Sequence, residues 1–390
     1  MSNDTGLSAM AITRPPRHHF FGYYGIDCWN ATGEYVLCLE TDFHERPPGP
    51  DDVAGVGIVE LASGQFRRLA ETRAFNLQQG AMLHWLPSDR RSAADRQITY
   101  NDRQGDRHVA VVLDIHTGVK RVLPRPIAGI SPDGRTAASL NYARLKSLRP
   151  VVGYAGLPDL YRDQAHPADD GVYTMDLETG EARVAVSYQE AYEFLGRQAV
   201  MDERKIWFNH VVFNTDGTRF CFVVRYNQPG VEIKHTALLS ADLGGGNLRC
   251  LTDYGASHFA WRTPGELVGW VTMREGPGHY RIDDRTGAYE RIDPEQLHRN
   301  GHMSFAWQGR WMLTDTGPDV ENLQDLYLWD MREERKVMLG RYLSPPPFRG
   351  EIRCDLHPRW SRDGRRVCFD SIHEGTRQVY VVDVSEVVAA

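Results

Sequence analysis

FNTDGTRFCFVVRY (213–226) decides the fold. A short apolar run meets the turn Asp216-Gly217 and re-emerges as an alternating strand, the pattern of a tight β-hairpin. The same unit returns as CWNATGEYVLCLE (28–40), ISPDGRTAASLNYA (130–143), WRTPGELVGWVT (261–272), WQGRWMLTDT (307–316) and WSRDGRRVCFDS (360–371). A looser member with a longer turn, HWLPSDRRSAADRQITYND (84–102), brings the count to seven. A second pattern follows each of these: an alternating strand that ends in an acid and then a tight turn. Its members are VGIVELASG (56–64), VVLDIHTG (111–118), VYTMDLETG (172–180), LLSADLGGG (238–246), YRIDDRTG (280–287), LYLWDMREE (326–334) and VYVVDVS (379–385). The acids Glu60, Asp114, Asp176, Asp242, Asp283, Asp330 and Asp383 advance by 54, 62, 66, 41, 47 and 53 residues.

A four-stranded antiparallel sheet cannot bury both faces alone. Seven such sheets packed radially can, and a closed ring hides most edges. The reading is an all-β, seven-bladed β-propeller, one domain over residues 1–390. The last repeat stops one strand short, so the N-terminal run 7–13 is expected to complete that blade and close the ring. A sandwich plus a second domain would need a linker and a composition break, and the chain has neither. A short helix is expected within 187–205. Segments 41–55 and 144–170 read as long, Pro-containing loops, where sites on a rigid frame tend to lie.

Composition narrows the function. Lys+Arg number 45 against 52 Asp+Glu, a formal charge of −7, which argues against a nucleic-acid partner. No apolar run reaches the roughly 18 residues that a membrane span needs. The first 20 residues show no secretory signal, so a cytoplasmic location is expected. Six cysteines spread over 390 residues suit reduced thiols better than a disulfide scaffold. The repeat acids occupy turn positions and read as structural.

Chemistry must come from residues outside the repeat. There is no G-x-S-x-G elbow and no P-loop. Cys354 and His357 are spaced C-x-x-H before a blade strand, and His258 and His302 precede the equivalent strands of two earlier blades. Thiolate and imidazole suit a zinc-type ion, so these four form a candidate metal set; zinc is favoured, with manganese or calcium as alternatives. The competing reading is four ordinary hydrogen-bonding side chains. A second group comprises His84, Arg144, Arg149, Tyr154, His210, Arg225 and Tyr226. Singly, each suits a polar tie between blades. Gathered at one mouth, they suit an anionic sugar, because Arg binds carboxylate bidentately and His and Tyr exchange protons. His18 and His19, beside Phe20, Phe21, Tyr23 and Tyr24, are further candidates for the mouth.

PRHHFFGYYGI (16–26), FNLQQGAMLHWLP (75–87), SLNYARL (139–145) with RPVVGYAG (149–156), FNHVVFNTDGTRF (208–220) and EIRCDLHPRWSRDG (351–364) carry a resemblance to a known family. The chain resembles the propeller-fold polysaccharide lyases, both oligogalacturonate lyases and ulvan lyases, from about His18 to Val384. The resemblance implies β-elimination on a uronate-containing saccharide, with an acidic oligosaccharide as partner. It makes His84, Tyr154 and His210 the catalytic candidates. Arg225, Arg149, Arg144, His19 and Tyr226 become the substrate candidates. In oligogalacturonate lyases three His and one Gln hold a metal in the active site. Here the matching Q-x-x-H-x-H pattern reads Cys354-x-x-His357-x-Arg359. That departure favours an ulvan-type or related substrate and a thiolate-containing zinc site over the oligogalacturonate alternative. Two other functions compete. A non-catalytic propeller would bind a protein or glycan. A glycoside hydrolase would need paired carboxylates, for which Asp27, Asp169 and Asp170 are available.

Overall fold

The structure is a computed structural model that describes residues 7–87, 95–196, 201–228 and 231–389. Its strands form seven four-stranded antiparallel sheets, and the fold is the seven-bladed β-propeller that the repeat predicts. In six sheets the strand order follows chain order. The first blade, for example, runs His18–Phe20, Tyr35–Thr41, Ala54–Glu60 and Gln65–Thr72. The seventh takes Arg359–Trp360, Arg366–Ser371 and Gln378–Asp383 from the C-terminal end and Met10–Ala11 from the N-terminal end. Met10 lies opposite Val381 and Ala11 opposite Tyr380. The pairing continues as Ile12 N–H donates to the Val379 carbonyl at 2.9 Å and Val379 N–H donates to Thr13 Oγ1 at 2.9 Å. The expected closing strand is thus present, its ladder core shorter than 7–13.

Both repeated turns work through side chains. In the first, Gly33, Gly134, Gly217 and Gly364 all adopt φ between 65° and 74°, a region that costs an L side chain strain. A neighbouring Asn or Asp holds the turn: Asn30 Oδ1 accepts the N–H groups of Glu34 and Tyr35 at 2.8 and 2.9 Å. In the second, the terminal acid accepts backbone N–H groups two or three residues on, as Asp114 does from His116 and Thr117 at 3.0 Å. Asp176 and Asp330 repeat the arrangement. These are Asx turns, which is the structural role expected for the repeat acids.

The expected helix in 187–205 is Tyr188–Phe194, started by a capping box between Ser187 and Glu190. One helix falls where a strand end and a loop were expected. Tyr142–Leu148 is helical because the blade strand stops at Ser139 and Asn141 Oδ1 accepts the Arg144 N–H, capping the new element. Residues 42–53 are a loop as expected. The long turn of the second blade, 88–94, lies outside the described residues. No described helix is long and apolar enough to cross a membrane.

The chain packs as two compact units. One holds the first, sixth and seventh blades and most of the second; the other holds the third, fourth and fifth. In the first unit Trp311, Leu313, Leu326 and Leu328 are fully buried; each such aliphatic contributes about 1.5–3 kcal/mol. In the second, Val223, Leu238, Phe259, Leu267 and Ile282 form the equivalent apolar layer.

A buried ion pair ties the two chain ends together. The Asp370 carboxylate accepts Arg359 Nη2–H at 2.7 Å, Gly22 N–H at 2.8 Å and Phe21 N–H at 3.1 Å. Arg359 Nη1 also donates to the Tyr23 carbonyl at 3.1 Å. Both side chains are buried. Asp370→Asn is expected to cost about 3–5 kcal/mol, since it strands the Arg359 charge away from water. Urea unfolding followed by tryptophan fluorescence measures it, and an unchanged midpoint would contradict this role.

Candidate metal centre

The strongest chemical cluster lies in the first unit. His302 precedes the strand Ser304–Ala306, and His357 precedes Arg359–Trp360. The equivalent offset in successive blades puts the two rings 4.2 Å apart, nearly perpendicular at 76°. Asp355 joins them: one donor atom from each of His302, Asp355 and His357 lies within 4.8 Å of the others, and all three are buried. Asp355 and His357 are two residues apart in the irregular stretch before the strand, and the Asp355 carboxylate lies 3.9 Å from His357 Nε2.

Asp315, at the end of Trp311–Asp315, organises this set. It has no exposed surface. Its carboxylate accepts the His302 backbone N–H at 2.7 Å and ring Nδ1–H at 2.8 Å, and the His357 backbone N–H at 3.0 Å. With Nδ1–H committed, Nε2 is the nitrogen that a neutral His302 can offer as a ligand, the usual way a carboxylate orients a metal-binding imidazole. His357 adopts φ 43°, a strained backbone of the kind that clusters at functional sites. Burial works against the Asp355 charge, but Arg353 and His302 outweigh it and lower its pKa. Arg353 Nε donates to Asp355 at 2.7 Å. Tyr24 packs on both rings, its centroid 5.0 Å from His302 and 5.9 Å from His357. Two imidazoles and an ionised carboxylate, held in place by a further carboxylate, fit a divalent ion of the zinc or manganese type.

The expected four-ligand set can be placed residue by residue. His302 and His357 are brought together. Cys354, one residue from Asp355 and three from His357, is not among the converging donors. Burial pushes its thiol up to about 12. His258 belongs to the second unit, where its ring meets His210 at 5.7 Å and Ser257 Oγ at 3.3 Å. Arg359 serves the Asp370 pair described above.

The substrate and catalytic candidates divide between the units. In the first, His84 is buried and donates from Nδ1 to the Met82 carbonyl at 2.8 Å, which leaves Nε2 as the proton acceptor. Burial lowers its pKa to about 4. His19 is clasped between Gln378 Oε1, 3.2 Å from Nδ1, and Glu40, 3.4 Å from Nε2.

In the second unit, Tyr154 is fully buried, stacked on Tyr142 at 4.1 Å and edge-on to His108 at 5.5 Å. Arg144 is fully buried and spends all its guanidinium nitrogens on Asp159 and on the carbonyls of Ile206, Tyr161, Gln164 and Ala165. As placed, it holds a loop and has no nitrogen left for a substrate carboxylate. Arg225 is buried and reaches Thr236 Oγ1 and the Ala256 carbonyl. Tyr226 stacks on His235 at 5.0 Å. Arg149 ends the helix Tyr142–Leu148 through its backbone N–H. His210 is half-buried with φ 53°.

A cleft of about 240 Å³ in this unit is lined by Arg107, His108, Asn141, Tyr161, Asp170 and Tyr173, among others. No sequence pattern marked it. Asp170 is pushed up by burial and accepts Asn141 Nδ2–H at 2.7 Å. Asp27 lies in the other unit, ion-paired with Arg362.

No protein-family profile matches the chain, and no curated protein matches it by sequence. Solved structures match its fold. An oligogalacturonate lyase from Vibrio parahaemolyticus superposes with TM-score 0.67 at 15% identity, over 99% of this chain and 96% of that one. An oligogalacturonate lyase in complex with manganese superposes with TM-score 0.70 at 16% identity, over 100% and 96%. A puromycin-hydrolysing peptidase from Mycobacterium tuberculosis gives 0.57 at 13% identity, over 94% of this chain and 52% of that one. At these identities the likeness is one of fold.

Two outcomes follow from the geometry. Asp315→Asn can no longer accept the His302 Nδ1–H through both oxygens, and a flipped tautomer would point an N–H at the donor cluster. Divalent-metal affinity, read by calorimetry on chelator-stripped protein, should fall about 10- to 100-fold; wild-type affinity would contradict the orienting role. His84, whose ordinary pKa is 6.5, is held neutral by the fold. Its contribution to stability is present above about pH 6.5 and is lost as pH falls toward 4. His84→Gln should flatten that slope in urea unfolding at stepped pH.

Proposed function

We propose that the protein is a lyase that cleaves an acidic, uronate-containing oligosaccharide by β-elimination, with an oligogalacturonate-type chain as the first candidate substrate. The observation that carries this reading is the buried set His302, Asp355 and His357 with Asp315 behind it. Support comes also from the full-length fold likeness to two oligogalacturonate lyases, one of them a manganese complex. The oligogalacturonate-type reading is preferred to the ulvan-type, thiolate-zinc one because both lyases that share the fold are oligogalacturonate lyases and the converging donor set holds no cysteine.

The chemistry has three requirements. The uronate carboxylate must be neutralised so that the C5 proton becomes acidic, a base must remove that proton, and an acid must protonate the departing O4. A divalent ion held by His302, Asp355 and His357 would supply the first by drawing charge from the carboxylate. Asp315 keeps His302 in the ligating tautomer, and Arg353 holds Asp355 in place. His84 offers an Nε2 lone pair as base, with His210 and Tyr154 as the other proton-transfer candidates. Arg225 and Arg149 are the remaining guanidinium candidates for the substrate, since Arg144 is committed to its loop.

The test is incubation with oligogalacturonate, ulvan and glucuronate oligomers while following the ultraviolet absorbance of the conjugated, unsaturated product. Product is expected from the galacturonate chain, lost after chelation and restored by manganese or zinc. His84→Ala should be roughly 10²- to 10⁴-fold slower if this side chain moves the proton. No product from any of the three would sink the lyase reading and leave a binding propeller.

A further inference from the structure

We propose a second divalent-metal site, formed by His18, His44 and Glu45, separate from the set around His302. His18 opens the strand His18–Phe20, and His44 and Glu45 lie in the loop that follows Tyr35–Thr41. One donor atom from each of the three lies within 4.8 Å of the others. The two imidazoles stack face to face at 3.8 Å and 20°, and Phe348 covers the far side of His44 at 4.8 Å. His44 is more than nine-tenths buried. Glu45 is exposed, its carboxylate accepting the His44 backbone N–H at 2.9 Å.

Nδ1 of His18 and Nδ1 of His44 are both shielded from water, and neither has a hydrogen-bond partner among the described residues. Leaving a buried polar atom unsatisfied costs about 1–3 kcal/mol, and here two lie in one contact. A stack that served only to pack would be better built from two apolar rings. Neutral imidazole is the form that binds a metal, and a shared ion would satisfy both rings at once. Adding Glu45 gives two nitrogens and one carboxylate oxygen, a donor set suited to zinc, manganese, cobalt or nickel. Ligands at about 2.0–2.2 Å from an ion stand closer together than 4.8 Å, so occupancy draws the three donors inward and opens the ring stack. Glu45, the exposed member, has room to make most of that movement.

The proposal is independent of the lyase reading and does not need it. The experiment is calorimetric titration of chelator-stripped protein with Zn²⁺ and Mn²⁺, with Co²⁺ absorption as a reporter of coordination. Wild type should take up two ions per chain. His44→Ala should leave one, and His302→Ala should leave the other. Glu45→Gln, an exposed change that does not threaten folding, should weaken the His18/His44 site at least about tenfold while sparing the His302 site. A wild-type protein that binds one ion, retained in His44→Ala and lost in His302→Ala, overturns the second site and leaves the first. The reverse pattern supports the second site and removes the first. No uptake by wild type overturns both.

Discussion

The Asp370 carboxylate is the point on which the first unit hangs. Two chain segments almost 350 residues apart in sequence meet there, one offering backbone N–H groups and the other a guanidinium. Neither charge has water to fall back on, so each is tolerated only because the other is present. The segment that Asp370 grips, Phe21–Gly22, runs directly into Tyr23 and Tyr24, and Tyr24 packs against the two histidines of the candidate metal centre. The bond that seats the N-terminal segment therefore also places the aromatic lining of the site.

The centre follows the same logic of one acid holding many groups. Asp315 ends a blade strand, where the repeat sets its place. It anchors two histidines that belong to different blades by taking a backbone N–H from each. The blades supply the coarse spacing, and a single buried carboxylate supplies the tautomer and the ring orientation. Asp355 is kept ionised by the Arg353 guanidinium despite its burial. The charge needed to hold a divalent ion is thus present beforehand and compensated locally.

The fold was legible because its determinants are local. Each hairpin needs a residue at positive φ and an acceptor beside it, and Gly with Asn or Asp at fixed offsets is a pattern short enough to read by eye. The helix Tyr142–Leu148 was not legible in the same way. Its sequence continues the apolar run of the preceding strand, and only the cap at Asn141 marks the change. The site was half legible. His302 and His357 stood out through their common offset from blade strands. Asp355 was hidden among many structural acids, and Cys354 drew attention by its chemistry but is not among the converging donors. Arg144 shows the same limit: a guanidinium in a loop looks like an anion binder until its loop is seen wrapped around it. Asp315 could not be singled out, because its importance lies in partners 13 and 42 residues away.

The donor chemistry of the His302, Asp355 and His357 set reaches beyond geometry. Peroxide converts thiolates to sulfenic and higher acids, whereas imidazole and carboxylate groups offer it no such ladder. The donor atoms that converge here are all nitrogen and oxygen, and the adjacent sulfur of Cys354 is buried. Such a centre keeps its coordinating groups intact under oxidative stress that would dismantle a cysteine-ligated one.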